Sequence, residues 1–194
     1  MTTVIKSGRD GNTADVDDLN RLKTFSISES VAVNSARAGQ AFLLSHPPVQ
    51  LTSDNESFIF YGKNNDTVPW IVSEINTNVG LSNGTGELLS RIIIDGSTGT
   101  LITGGTSVPP VNLNINNPQI LPATLLYGVE GSTVTNGTSL YPTIIPHDSI
   151  EDKFNGAPII VPPNTSFSYA VTPPAGNTSV NVQLTAIIYR DLEV

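Results

Sequence analysis

The chain has 194 residues and a formal net charge of −8, with a pI near 4.5. That balance excludes long-range attraction to nucleic acid, which needs clustered Lys and Arg. Cysteine is absent, which excludes disulfides and Cys-ligated zinc or iron–sulfur sites. Hydrophobic residues make up 38% and charged residues 13%, about half the usual charged share, so the surface is built from Asn, Thr, Ser and Gln.

The length suits one domain of about 150 residues plus a tail. No apolar run approaches the roughly 20 residues that span a bilayer, and Met1 to Lys6 lack the apolar core of a signal peptide. The expectation is a cytosolically made protein without membrane partners. Its Asn-X-Ser/Thr triplets (Asn55, Asn65, Asn83, Asn136, Asn164, Asn177) then read as loop composition.

Residues 1 to about 30 differ from the rest. Val4 to Lys6 is a short apolar start, Ser7 to Asn12 a turn cluster, and Thr13 to Val16 a segment able to pair back on it. Asp17 to Asn20 turns again, and Arg21 to Ser28 reads as a strand with Phe25 and Ile27 on one side. Too few apolar residues occur here to bury a core. Either an arm that orders against a partner or a hairpin lying on its own domain fits the pattern.

Glu29 to Gly39 reads as a small-residue linker or short helix ending at Gly39. Strands follow at Gln40 to Ser45 and Val49 to Thr52, divided by His46-Pro47-Pro48. Ser57 to Tyr61 alternates, with Phe58 and Phe60 on one face and Ile59 and Tyr61 on the other. Val68 to Val79 holds the only Trp, Trp70, and sets Ile71, Ile75 and Val79 in period-two register. Leu88 to Ile94 is tipped to strand by its β-branched run and by Gly86 and Asp95-Gly96.

Gly96 to Pro110 is turn-rich, with a brief Leu101 to Thr103 run, and Val111 to Ile115 alternates strictly. Thr124 to Tyr127 and Thr138 to Ile145 are short strands among Pro118, Pro122, Pro142 and Pro146, which argue for edges and long loops. At the C-terminal end, Phe167, Tyr169 and Val171 alternate with Ser166, Ser168 and Ala170. After the turn Thr172 to Thr178, Val180, Val182, Leu184, Ala186 and Ile188 form one buried face. These two strands are expected to make a long antiparallel hairpin. Short, evenly spaced strands divided by Asn, Asp and Gly turns favour an all-β sandwich.

Candidate chemistry is sparse. Asp10 to Asp18 offers oxygen ligands but lacks the spacing, terminal Glu and central Gly of an EF-hand, so it reads as a solvated acidic turn. His147-Asp148, with Ser149 or Ser139, has the residue types of a hydrolase triad without a nucleophile elbow. Glu151-Asp152, and Asp191 with Glu193, are carboxylate neighbours in sequence, which does not supply a pair facing across a cleft. Gly84 to Gly86 and Gly104-Gly105 lack the Gly-Lys-Ser/Thr of a phosphate loop. Trp70, Tyr61, Tyr127, Tyr141 and Tyr169 could stack on sugars, but aromatics at strand positions belong more often to a core. No catalytic, cofactor or metal residue is assigned.

The opening Val4-Ile-Lys-Ser-Gly-Arg-Asp-Gly-Asn-Thr-Ala-Asp-Val-Asp-Asp-Leu-Asn-Arg-Leu-Lys-Thr24 resembles the N-terminal module of a group of tailed-bacteriophage virion proteins, of the form "VIKDGTG…AKVDSNNRL". Val161-Pro-Pro-Asn-Thr-Ser166 and Thr172-Pro-Pro-Ala-Gly-Asn-Thr-Ser-Val-Asn-Val-Gln183 resemble the C-terminal hairpin of the same group, and Leu51 to Ser57 matches in style. The likeness covers about a third of the chain and leaves Gly96 to Gly156 unplaced. It implies a non-enzymatic virion component, a capsid decoration (cement) or other head-surface protein, assembled in the host cytoplasm. Its fold would be an antiparallel, jelly-roll-like β-sandwich over residues 36–194, with an extended N-terminal arm or hairpin and linker over residues 1–35.

Its partners would be the major capsid protein or another virion protein, and further copies of itself, a trimer suiting a threefold position. Val4, Ile5, Leu19, Leu22, Phe25 and Ile27 are the expected anchors of the arm, added as a strand to a neighbour's open edge. The alternative is a head- or tail-fibre module that binds a host glycan or receptor through the Gly96 to Gly156 loops.

Overall fold

The computed structural model describes residues 5–6, 13–16, 22–23, 31–80, 87–95, 104–145, 151–154, 158–176 and 179–191. The chain divides into two compact units, Met1–Val31 and Ala32–Val194. In the first unit, β1 (Ile5–Lys6), β2 (Thr13–Val16) and β3 (Leu22–Lys23) form a three-stranded antiparallel meander, pairing Ile5 with Ala14 and Val16 with Leu22. The N-terminal stretch thus closes backbone pairs within itself, as the Thr13 to Val16 pattern suggests.

Helix α1 (Val31–Arg37) opens the second part of the chain. It stops because Gly39 takes φ 71°, a left-handed conformation that costs a residue without Cβ little. The Gly39 N–H then donates to Ala36 O (3.0 Å) and the Gln40 N–H to Ser35 O (2.7 Å), the two bonds of a Schellman cap.

The remaining strands are β4 (Ala41–Ser45), β5 (Val49–Leu51), β6 (Ser57–Asn64), β7 (Trp70–Val79), β8 (Leu88–Asp95), β9 (Thr106–Ser107) and β10 (Val111–Asn112). They continue with β11 (Ala123–Tyr127), β12 (Thr138–Ile145), β13 (Glu151–Phe154), β14 (Ile159–Val161), β15 (Ser166–Thr172) and β16 (Val180–Arg190). One sheet runs β10-β4-β16-β7-β13, with β5 continuing β4 along β16 and β14 continuing β13 along β7. The other runs β12-β8-β15-β6-β11-β9. All pairings are antiparallel.

Taking β4/β5 as the first strand, the order continues β6, β7, β8, β12, β13/β14, β15 and β16, changing sheet at each step except from β8 to β12. The first, last, third and sixth of these eight lie side by side in one sheet. The second, seventh, fourth and fifth lie side by side in the other. This is the strand order of a jelly roll, with β9, β10 and β11 added at two edges. The sandwich expected from the sequence is therefore the fold.

Between the sheets lies one core in which Trp70, Phe42, Leu44, Ile59, Phe60, Ile75, Phe167, Leu184 and Ile188 are fully buried. The alternation along β16 holds throughout, with Val180, Val182, Leu184, Ala186 and Ile188 all inward. A polar tie crosses this core, where the Thr77 hydroxyl donates to the Tyr169 oxygen at 2.8 Å.

Four expectations need correcting. Strands β15 and β16 do not form a hairpin: β15 pairs with β6 and β8, and β16 with β4, β5 and β7, so the Thr172 to Thr178 turn is an arch between sheets. Along β6, Ile59 and Phe60 both face the main core while Phe58 and Tyr61 face outward. The cause is a bulge opposite Tyr169 and Ala170, which leaves Ile59 without a partner on β15. A second bulge, at Ser73, moves the inward set of β7 from Trp70 and Val72 to Ile75, Thr77 and Val79, so Ile71 does not share their face. Finally, the alternating run from Val111 ends as a strand after two residues. There the Asn112 and Asn114 side-chain oxygens accept from the N–H groups of Asn114 (2.9 Å) and Asn116 (3.3 Å), local bonds that displace the sheet ladder.

Candidate interaction surfaces

Of the expected anchor residues, Ile5 lies in β1 and Leu22 in β3; Val4, Leu19, Phe25 and Ile27 lie outside the described residues. So do His147, Asp148, Ser149, Glu193, Gly84 to Gly86, and most of the Asp10 to Asp18 turn. Among the described residues, no three His, Asp or Glu side chains gather in a way that could hold a metal ion. Of the candidate aromatic platform, the Tyr141 side chain lies outside the described residues. Trp70, Tyr61 and Tyr169 are buried, and Tyr127 is stacked against His46 with ring centroids 5.4 Å apart and planes within 7°.

The two outer faces of the sandwich differ. After β11, the segment Gly128 to Gly137 crosses the outside of the β12–β9 sheet to reach the edge strand β12. The Phe58 N–H donates to Ser132 O (3.0 Å), and the Gly131 N–H donates to the Ser57 hydroxyl (3.0 Å). Val134 packs on a second apolar cluster of Phe58, Tyr61, Ile93 and Ala170.

The Glu130 carboxylate anchors one end of this strap. It accepts from the N–H groups of Thr52 (2.6 Å) and Ser53 (2.6 Å) and from the Thr52 hydroxyl (2.8 Å). The Thr52 hydroxyl first, and then these backbone N–H groups, hold the Glu130 carboxyl below its ordinary value against the smaller opposing effect of burial. Both faces of β6 and β15 are dry in consequence.

The outer face of the other sheet carries no such strap among the described residues. Between β5, β7 and β16 a cleft of about 260 Å³ is lined by Pro48, Asn78, Val79, Gly80, Asn181 and Gln183. The Asn78 and Asn181 side chains make no hydrogen bond among the described residues.

Above that cleft, the chain kinks at His46-Pro47-Pro48. Proline cannot donate to a ladder, and the gap between β4 and β5 is bridged by a side chain instead. The buried His46 ring accepts the Leu184 N–H at Nε2 (3.1 Å) and approaches Pro47 O at Nδ1 (2.7 Å). The tautomer this requires is neutral, with the proton on Nδ1. Burial pushes its pKa below 6.5, against the weaker opposing effect of the Pro47 carbonyl.

At the far end of the sheet Arg190 reaches Asp66 through two bonds (2.5 and 3.0 Å) and Gln40 through a third (2.9 Å). Burial raises the Asp66 pKa. The Arg190 hydrogen bond, the N–H groups of Thr67 and Val68, and the Arg190 charge outweigh it and leave the group below 3.8.

The third surface is the rim beyond β4. After β10, residues 113–120 form a loop, and residues 111–120 together fold back onto α1 and its cap. Asn112 Nδ2 donates to Gly39 O (3.0 Å) and Gln119 O (3.1 Å), Asn114 Nδ2 to Arg37 O (2.9 Å), and the Gln119 N–H to Asn117 Oδ1 (2.9 Å). Gln40 and Gln119 are joined by their side-chain amides. This pinned loop presents Val111, Leu113, Ile115 and Ile120 to solvent, with Ile115 89% and Ile120 77% exposed. The sequence supplies no Asp, Glu, Lys or Arg from Gly96 to Val129. Sequence alternation assigned Val111, Leu113 and Ile115 to a strand; the Asn side chains between them were the available signal for a turn.

No protein-family model matches the chain, and comparison with curated proteins gives no match.

Proposed function

We propose that this protein is a non-enzymatic structural component of a tailed-bacteriophage virion, a decoration protein that sits on the capsid surface and stabilises it. The observation that carries the reading is the jelly-roll strand order, an architecture that recurs in capsid proteins, behind an N-terminal stretch that forms a compact unit of its own. The likeness of both ends of the chain to phage virion proteins supports it.

In this reading the sandwich rests on the lattice of the major capsid protein, and residues 1–28 engage a neighbouring subunit. Val4, Ile5, Leu19, Leu22, Phe25 and Ile27 fill apolar pockets there while the backbone extends the neighbour's open sheet edge. The protein assembles in the host cytoplasm and ends in the virion. Deleting residues 1–28 is expected to leave a folded sandwich that no longer co-sediments with capsids. Capsid binding at full strength by the truncated chain would remove the arm from the mechanism.

The mainly apolar cleft beside Pro48 and Val79, bordered by the amides of Asn78, Asn181 and Gln183, favours one second reading, a fibre module for a host glycan, with the apolar floor meeting a sugar ring face. Neutral amides match sugar hydroxyls as both donors and acceptors, and jelly rolls also serve as lectin domains. Copy number separates the two: hundreds per particle fit decoration, and a handful fit a fibre.

A further inference from the structure

We propose that the rim formed by Val111, Leu113, Ile115 and Ile120 is a self-association surface, and that its occupant is a second copy of this chain. Isoleucine in the open gains nothing for the monomer, since its burial is what stabilises. Here two of them, Ile115 and Ile120, are held in solvent by a loop whose own conformation is fixed through Asn112, Asn114 and Asn117. A loop fixed before contact loses little freedom on binding.

Charge identifies the occupant. Each copy carries −8, so two copies repel overall, and least where the facing surfaces lack charge. The stretch from Gly96 to Val129 has no Asp, Glu, Lys, Arg or His. A face of aliphatic groups and amides is complementary to itself about a symmetry axis, because no like charges meet and each amide both donates and accepts. A face built for a different protein generally uses opposite charges for steering and selection, and residues 111–120 themselves carry none, the nearby Arg37 belonging to α1. The inference holds whether or not the virion reading does.

The test is sedimentation velocity on the full chain from about 1 to 100 µM, a range over which mass action exposes weak assembly. Wild type is expected to sediment as a closed oligomer. The double substitution Ile115→Asp with Ile120→Asp is expected to weaken assembly at least about 100-fold with unchanged circular dichroism, since both side chains stand in solvent. Ile160→Asp, an equally simple change at an exposed position of β14 on the opposite edge of the sheet, is expected to assemble as wild type does. A wild-type monomer at the highest concentration overturns the proposal, as does a double variant that still assembles. A monomeric wild type whose capsid binding is lost in the double variant would make a virion protein the occupant, which also overturns it.

Discussion

Protonating His46 is expected to unfasten the junction between β4 and β5. Its Nε2 accepts the Leu184 N–H in a site from which water is excluded, the ring being 2% exposed. A proton on Nε2 would set two donors face to face. Because burial holds the folded-state pKa below 6.5, the unfolded chain binds this proton first as pH falls. The contribution is thus complete above 6.5 and is lost as pH drops from 6.5 towards the folded-state value. One proton sets the limiting slope at about 1.4 kcal/mol per pH unit within that window.

Urea unfolding read by the fluorescence of the single, buried Trp70 reports on the sandwich itself. The midpoint should be flat from pH 8 to 7 and fall between pH 6.5 and 5. His46→Phe keeps the stack on Tyr127 but strands the Leu184 N–H. It should cost about 1–3 kcal/mol at pH 7.5 and abolish the slope above pH 5. A wild-type midpoint unchanged down to pH 5, or a slope that survives in His46→Phe, would refute the reasoning.

Two further perturbations test other joints. Asp66→Asn leaves the Arg190 guanidinium facing a neutral amide in a largely buried site; it should cost about 3 kcal/mol in chemical denaturation. In wild type, Asp66 has a folded-state pKa below 3.8, so its contribution is full above that value and lost as pH falls further. An acid titration should therefore show a loss below pH 4 that is smaller in Asp66→Asn, where Glu130 alone of the two depressed carboxyls still contributes. At Gly128, an added Cβ would lie 2.0 Å from Phe58 O and 2.8 Å from Ser132 Cβ. Gly128→Ala should cost about 3 kcal/mol or more and make the strap susceptible to limited proteolysis between Val129 and Gly137, whereas unchanged melting would show that the crossing can shift freely.

The sequence conveys strand content well because burial on one face writes itself into alternation. The even residues of β16 are inward as their pattern says, and Pro142 marks β12 as an edge strand. It conveys less where one residue is inserted into a ladder. The bulges near Ile59 and Ser73 exchange faces in mid-strand, and no composition signal marks them. Pairing partners are equally hidden: β15 and β16, consecutive and both apolar, fit a hairpin as well as an arch, and only the competition of β4, β7, β6 and β8 for their edges decides. His46 was legible as a chain break, but not as an acceptor for Leu184, a residue 138 positions away. The alternation of Val111 to Ile115 holds as a strand only over Val111–Asn112, because local asparagine bonds and a sheet ladder suit the same alternating text.

The strap from Gly128 to Gly137 makes the molecule two-sided. A jelly roll of this size would ordinarily offer neighbours two broad sheet faces, and here the chain's own backbone covers the middle of one, over Phe58, Tyr61, Ile93 and Ala170, leaving Leu89 and Ile144 of β8 and β12 exposed beside it. A contact made flat on a sheet would therefore meet backbone over β6 and β15 on one side and the side chains of β7 and β16 on the other, so the two broad faces are not interchangeable.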